Sequence, residues 1–302
     1  MNGLLVSKDS SERPDDALVD VAAWLAGQHD MVGRFGNAIR QSFDEVFDGQ
    51  RTGRFSLDQL SKVEKTYIGT KVEILVQHEF GLQRGQGMDY HIAGNEVDAK
   101  WSIRSGGWMF PTEAMGELCL CLTADDQRSR FSVGLIRAEL GRMTASRNKD
   151  SKRRLSPEGL TDMTWLAQNA TLPENLLLHL EDATLRAVLD PQLSGQRRIN
   201  ELFRRVQERI IRREVVLTVA KQDDGPKRVR DARKHLAQYD LLILGHQGDH
   251  PVAARRWGLP VPKKGEWISV SVEAAAESDR RAMCIDDRWV RPVFAGASAG
   301  LS

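Results

Sequence analysis

The chain has 302 residues, with 43 Lys and Arg set against 42 Asp and Glu and a formal net charge of +1. At 41% apolar and 28% charged residues the composition is globular, which excludes an intrinsically disordered chain, and the length suits about two domains of ~100–200 residues. No stretch reaches the ~18 uncharged apolar residues of a membrane helix, the N-terminus lacks a leader's apolar core, and three cysteines make no disulfide framework; a cytoplasmic protein without a membrane partner is expected.

The near-zero total conceals uneven local charge. Residues 9–20 are acidic and polar, and Leu18, Val21, Ala22 and Leu25 then follow helical spacing. A second helix is predicted from Arg34 to Phe47, carrying Phe35, Ile39, Phe43 and Val46 and stopping at Asp48-Gly49. DGQRTGR (48–54) reads as a loop bearing Arg51 and Arg54. Ser56 is a predicted N-cap for a helix through Leu57, Leu60 and Val63, continued by Ile68, Val72, Val76 and Phe80. Strands are predicted over Met88–Ile92 and Glu96–Ile103, turning at Gly94-Asn95, and again over 117–124 and 130–138. Cys119 and Cys121 alternate along the first of these last two.

Composition shifts near residue 141, where Arg142, Arg147, Lys149, Lys152, Arg153 and Arg154 crowd around a single acid, Asp150. The polar, Pro-containing stretch 168–175 is the expected linker. Beyond it the pattern predicts helices over 174–189 and 197–213, a strand over 215–220, a helix over 227–237, a strand over 241–245, a helix over 251–257 and a β-rich end.

Asp98 and Lys100 stand at i and i+2 of a predicted strand and so share one face, with Val97 and Ala99 on the other. Asp89 lies across the hairpin, and Glu73 interrupts an apolar helix stripe upstream. Two acids can hold a hard divalent cation through oxygen, and a nearby ammonium can orient a water, a combination suited to phosphodiester hydrolysis. An acid-x-Lys triplet alone more often marks a solvated strand face. Here its place on a hairpin's second strand, with acids on the first strand and on the preceding helix, favours the catalytic reading. The order helix-Glu, Asp, Asp-x-Lys resembles the restriction-endonuclease-like nuclease core, with Met88 where a proline often precedes the first aspartate.

In the second half, the predicted helix 199–213 places Ile199, Leu202, Phe203, Val206 and Ile210 on one face and arginines, among them Arg204 and Arg205, on the remainder. A second basic run includes Lys227, Arg228 and Arg230, and a third cluster includes Arg255, Arg256, Lys263 and Lys264. Such helices resemble a helix-turn-helix or winged-helix frame, in which arginines meet phosphates and base edges. The plainer reading is a solvated face paired with Glu201, Glu208, Glu214 and Asp231. His246 and His250 flank a loop without a metal set around them, and no P-loop, dinucleotide fingerprint or nucleophile elbow is present.

Nine segments in order carry a family resemblance: DGQRTGR (48–54), EKTYIGTKVEI (64–74), DYHIAGNEVDAK (89–100), KRRLSPEG (152–159), ENLLLHL (174–180), NELFRRVQERIIRR (200–213), VAKQDD (219–224), LILGHQ (242–247) and GLPVPKKGE (258–266). Over residues 38–266 the chain resembles the NaeI-type restriction endonucleases of the type IIE class. One departure is Ala99, which stands in place of a cysteine between the catalytic Asp and Lys. The resemblance implies an α/β fold with a restriction-endonuclease-like mixed-sheet core and a second, winged-helix (CAP-like) α+β domain. It implies a nuclease domain over 1–167, a linker over 168–175 and a DNA-binding domain over 176–302, with a fragment starting near residue 170 binding duplex DNA by itself. The implied activity is Mg2+-dependent cleavage of double-stranded DNA by a homodimer, activated by a second DNA copy. Catalysis would fall on Glu73, Asp89, Asp98 and Lys100, and metal binding on Asp89, Asp98, the Ala99 carbonyl and Glu73. The expected DNA contacts are Arg51, Arg54, Arg147, Lys149, Arg153, Arg204, Arg205, Lys227, Arg228, Arg230, Lys263 and Lys264. A nicking or repair endonuclease and a non-catalytic winged-helix regulator are the alternatives.

Overall fold

A computed structural model describes residues 15–144 and 152–294. Two compact units emerge, one from the described residues of 1–43 and 63–174, the other from those of 44–62 and 175–302. The fold is mixed α/β, and no described helix is long and apolar enough to cross a membrane.

The first unit begins with α1 (Asp16–Ala26), started by Asp15, whose side chain accepts the Leu18 N–H at 3.1 Å. Helix α2 (Met31–Phe47) buries Phe35, Ile39 and Phe43 on one stripe and stops where Asp48 turns left-handed, at φ 46°. The one-turn α3 (Gly49–Thr52) belongs to the second unit. The helix expected from Ser56 is split in two. Ser56 and Gln59 close a capping box around a single 3-10 turn, Leu60 is extended, and a new helix, α4 (Lys62–Phe80), begins two residues later. Ile68, Val72, Val76 and Phe80, one helical turn apart, bury its inner face.

Six strands follow: β1 (Gln83–Arg84), β2 (Tyr90–Ile92), β3 (Asn95–Ser102), β4 (Leu118–Asp125), β5 (Arg130–Arg137) and β6 (Thr164–Thr171), hydrogen-bonded in that order. Every pairing is antiparallel except β3–β4. The β2–β3 turn is Ala93-Gly94 (φ 49° and 82°), with Ile92 opposite Asn95, one residue before the expected position. Both corner residues of such a tight turn need positive φ, and Gly94 adopts it without steric cost. The residues from Leu118 to Ala124 are all buried, and Cys119 and Cys121 pack with Trp108, Phe110, Ile136 and Met163 as free thiols. After the short helix α5 (Pro157–Thr161), β6 occupies residues that include the first half of the expected linker. TWLAQNAT lacks a clean alternation because β6 is an edge strand, with Ala167 its one buried residue.

The second unit contains α6 (Asp182–Val188), α7 (Gly195–Arg205), β7 (Ile210–Arg212), α8 (Arg213–Ala220), α9 (Gly225–Leu236), β8 (Leu241–Leu244), α10 (His250–Arg256), β9 (Glu266–Ala274), β10 (Met283–Ile285) and β11 (Arg288–Pro292). Ile268 of β9 pairs with both Ile210 and Leu244, so β7 and β8 flank β9, while β11 joins β9 further along and β10 closes the edge. The helix predicted over 174–189 is instead a 3-10 turn, Leu176–His179, followed by α6, and two further expectations change. The helix predicted through Arg213 ends at Arg205; Glu208 is left-handed (φ 61°), and Ile210–Arg212 joins the sheet. The strand predicted over 215–220 is helix α8, whose buried Val215, Val216, Val219 and Ala220 follow helical spacing. In both places, tertiary burial outweighs local propensity. Ile199, Leu202, Phe203, Ile211, Val216 and Val229 form the heart of the core, on which Phe55 also packs.

Segment 48–54 fits this unit closely. A Cβ at Gly49 would lie 2.0 Å from Thr218 Oγ1 and 2.8 Å from the Arg54 carbonyl oxygen, so only glycine lets α3 approach α8 as it does.

Candidate active site

The β2–β3 hairpin and α4 bring the four expected residues of the first unit together. Asp89 immediately precedes β2, and its Oδ2 accepts the Ala99 N–H at 2.7 Å. Asp98, 8% exposed, forms an ion pair with Lys100 on the same strand, as two side chains at i and i+2 can. Glu73 is half-buried on α4. The buried Tyr90, which sequence reasoning passed over, donates its hydroxyl to the Glu73 carbonyl at 2.9 Å and ties α4 to β2. A buried tyrosine beside a candidate acid was the available signal, since a phenol out of water must find an acceptor. On the neighbouring parallel strand, Cys119 stands beside Asp98 and Cys121 beside Lys100. Burial and then the Asp98 charge push the Cys119 thiol up to about 12, so it stays neutral.

The acids are crowded. Burial pushes Asp98 up to about 6; its bond to Lys100 opposes that shift, and its hydrogen bond with the Asp89 carboxyl reinforces it. Burial, followed by the charges of Asp89 and Asp98, also raises Glu73. Two carboxyls so close need either a shared proton or a cation between them. All the donors are hard oxygens, which fits a hard divalent cation. Among the described residues, no three His, Cys, Asp or Glu side chains converge into a metal cage. Such a set still suits a cation that takes one or two carboxylates and keeps water in its remaining positions.

A second residue missed in the sequence is Glu96 of β3. Its carboxylate accepts N–H groups from Met88, Gly87 and Gln86 at 3.0, 3.0 and 3.2 Å, and these bonds hold it down at about 2. Backbone partners leave no mark in a sequence.

The expected DNA-binding residues divide sharply. Arg51, on α3, is exposed and paired with Asp48 at 3.1 Å; Arg54 donates to the Phe47 carbonyl at 3.3 Å; both lie in the second unit and not in the first. Arg147 and Lys149 fall outside the described residues. Arg153 is held by a backbone bridge to Phe110 and donates to the Thr144 carbonyl at 3.3 Å. Arg204 and Arg205 both bind Glu201, at 2.7 and 2.8 Å, which is the plainer reading of a solvated face. Arg228 pairs with Asp224 at 3.0 Å. Lys227 and Arg230 are exposed on α9, with Lys234 one turn further, while Val229, Ala232 and Leu236 bury its opposite side. Lys263 and Lys264 are exposed just before β9. His250 accepts the Gly245 N–H at 3.1 Å and stabilises its own loop.

Comparison with known proteins gives the chain's family. The family model described as restriction endonuclease NaeI matches residues 21–288. The type II restriction enzyme NaeI of Lentzea aerocolonigenes is 43% identical over 277 residues, spanning 89% of this chain and 87% of that enzyme. The match takes in α4, the β2–β3 hairpin and the helices of the second unit. The chain belongs to the NaeI family of type II restriction endonucleases.

Proposed function

We propose that this chain is a cytoplasmic, Mg2+-dependent, site-specific endonuclease that cuts both strands of duplex DNA as a homodimer and is activated by a second DNA copy. The observation that carries the reading is the meeting of Asp89, Asp98 and Lys100 on one hairpin, with Glu73 facing them from α4. Asp89 and Asp98 would hold the cation, with the Ala99 carbonyl as a further oxygen and Glu73 supporting its water shell. Mg2+ is assigned because it accepts one or two carboxylates and retains several waters. A cation so held supplies positive charge to the phosphate as negative charge builds on its oxygens. Lys100 holds the attacking water and faces that developing charge. The flanking thiols, kept neutral by burial, add no competing charge.

The domain reading assigns cleavage to residues 1–167 and binding of the activating DNA to a winged-helix domain in 176–302. The order helix α7, strand β7, helices α8 and α9, strand β8, helix α10, strand β9, with β9 between β7 and β8, supports a winged helix that carries one extra helix before its last strand. Helix α9 then serves as the recognition helix through Lys227, Arg230 and Lys234. Two active sites related by a two-fold axis suit a palindromic site, so a dimer is expected by sedimentation with DNA present.

The test is digestion of one sequenced plasmid in Mg2+, with the ends mapped, using wild-type and Asp98→Ala protein. Defined double-strand ends from the wild type alone support the reading. Single nicks would favour a nicking enzyme, absence of cleavage with intact binding a regulator, and cleavage by Asp98→Ala would overturn the site.

A further inference from the structure

The segment leading into Asp89 has little of its own to hold it. Residues 81–88 contain three glycines, and their ladder to the sheet is the two-residue β1. Glycine-rich backbone loses the most conformational freedom on ordering, so something must fix it. Glu96, opposite His91 on the hairpin, does so. Three consecutive amides, those of Gln86, Gly87 and Met88, converge on its carboxylate, and His91 Nδ1 lies 3.2 Å from Oε1. Successive N–H groups around one anion form a nest, and bonds to an ionised acceptor are stronger than neutral ones. The wrap is tight: a Cβ at Gly85 would lie 2.4 Å from the Met88 carbonyl oxygen and 2.6 Å from Glu96 Oε2. The next residue in the chain is Asp89.

We infer that Glu96 is a positioning residue for the cation site: by clamping the backbone of 86–88 it sets where Asp89 meets Asp98. The inference rests on the proposed metal-dependent cleavage. Asp89 is aimed from two sides, by the Ala99 N–H at its carboxylate and by the Glu96 nest at its backbone. Glu96→Gln keeps the volume but turns an NH2 group towards amides that also donate. The nest then loosens, and Asp89 samples positions apart from Asp98.

The experiment uses the full chain and Ca2+ as a probe that binds without requiring turnover. Removing a group that orients a metal ligand typically weakens metal binding about 10–100-fold. Glu96→Gln should therefore weaken Ca2+ binding about tenfold by calorimetry and slow Mg2+-dependent cleavage to a similar degree. Excess Mg2+ should restore part of the rate, and amide exchange at 86–88 should quicken. DNA affinity without metal should stay within about twofold, because it comes mostly from basic side chains on phosphates. Gly85→Ala, which presses on the same nest from the loop side, should move Ca2+ affinity in the same direction. Wild-type Ca2+ affinity with unchanged exchange in Glu96→Gln overturns the inference, as does wild-type Ca2+ affinity in Gly85→Ala should the first variant not fold. Asp98→Ala separates the two levels. If it too binds Ca2+ normally, the cation site itself is misplaced; if it alone loses binding, only the role of Glu96 fails.

Discussion

Asp89 reaches across the hairpin to the backbone of the residue between Asp98 and Lys100, its Oδ2 accepting the Ala99 N–H at 2.7 Å. The bond links the two halves of the acidic pair through main chain, so the spacing of the carboxylates does not depend on the residue 99 side chain. It also forces two acids together, at a cost that a mutation can expose.

Asp89→Asn can keep an oxygen on the Ala99 N–H while removing one charge. Asp98 is shifted from 3.8 to about 6, so the native state holds its proton better than the unfolded chain does. That favours folding at low pH and is lost as pH rises through about 6. Burial is the largest cause of that shift and stays in the variant, but the part owed to the Asp89 carboxyl goes. At pH 8, without metal, Asp89→Asn should therefore be more stable by at most about 1 kcal/mol, a gain that fades below pH ~6, while cleavage disappears. Denaturant melts at pH 8 and pH 5 check this; equal or lower stability at pH 8 counts against crowding.

Tyr90→Phe removes the hydroxyl that holds the Glu73 carbonyl. The stability loss should be about 1 kcal/mol, since that carbonyl keeps its helical partner. If Glu73 supports the cation's water shell, cleavage should also fall severalfold and raised Mg2+ should recover it. A melt shifted with kcat unchanged would separate Tyr90 from the chemistry.

Neutralising Lys227 and Arg230 should weaken the full chain's DNA binding and reduce the slope of log K against log salt by about 1 for each phosphate no longer neutralised. Removing Arg204 and Arg205 should leave that slope unchanged, because Glu201 already holds both guanidiniums. Filter binding across a salt series distinguishes the pairs, and equal slopes in all variants would leave α9 without a DNA role.

Gly49→Ala places a methyl group 2.0 Å from Thr218 Oγ1. Overpacking of this kind costs about 1–3 kcal/mol. Thr218→Ala in the same chain should recover only part of the loss, because the Arg54 carbonyl oxygen still lies 2.8 Å away. Full recovery in thermal melts would mean that the backbone there yields easily.

The quartet Glu73, Asp89, Asp98 and Lys100 was legible because its geometry is local: i,i+2 on a strand, one tight turn, and one acid in an apolar helix stripe. Its supports were not. Tyr90 and Glu96 act through backbone groups, which have no sequence identity. The valines of α8 have strand propensity, and only their packing with Ile199 and Phe203 makes them helical. Ile210 continues a helical stripe on paper, yet β9 supplies an edge that claims it. Gly49 and Gly53 read as loop residues because the partner they fit, α8 and the lysine that follows it, lies far along the chain.

The interleaving of 44–62 with residues beyond 174 bears on how relatives of this chain can exchange one half for another. A fragment starting near residue 170 omits α3 and Phe55, and so leaves the Thr218 side of α8 and part of the core uncovered. Recombination between two relatives at one crossover near residue 174 would join α8 from one parent to a 44–62 segment from the other. A glycine fitted to one helix would meet a different helix. Transfer of the second unit as a working cassette therefore takes three junctions, near residues 43, 62 and 174, and a lineage that swaps this half by a single event must first repair the seam at Gly49.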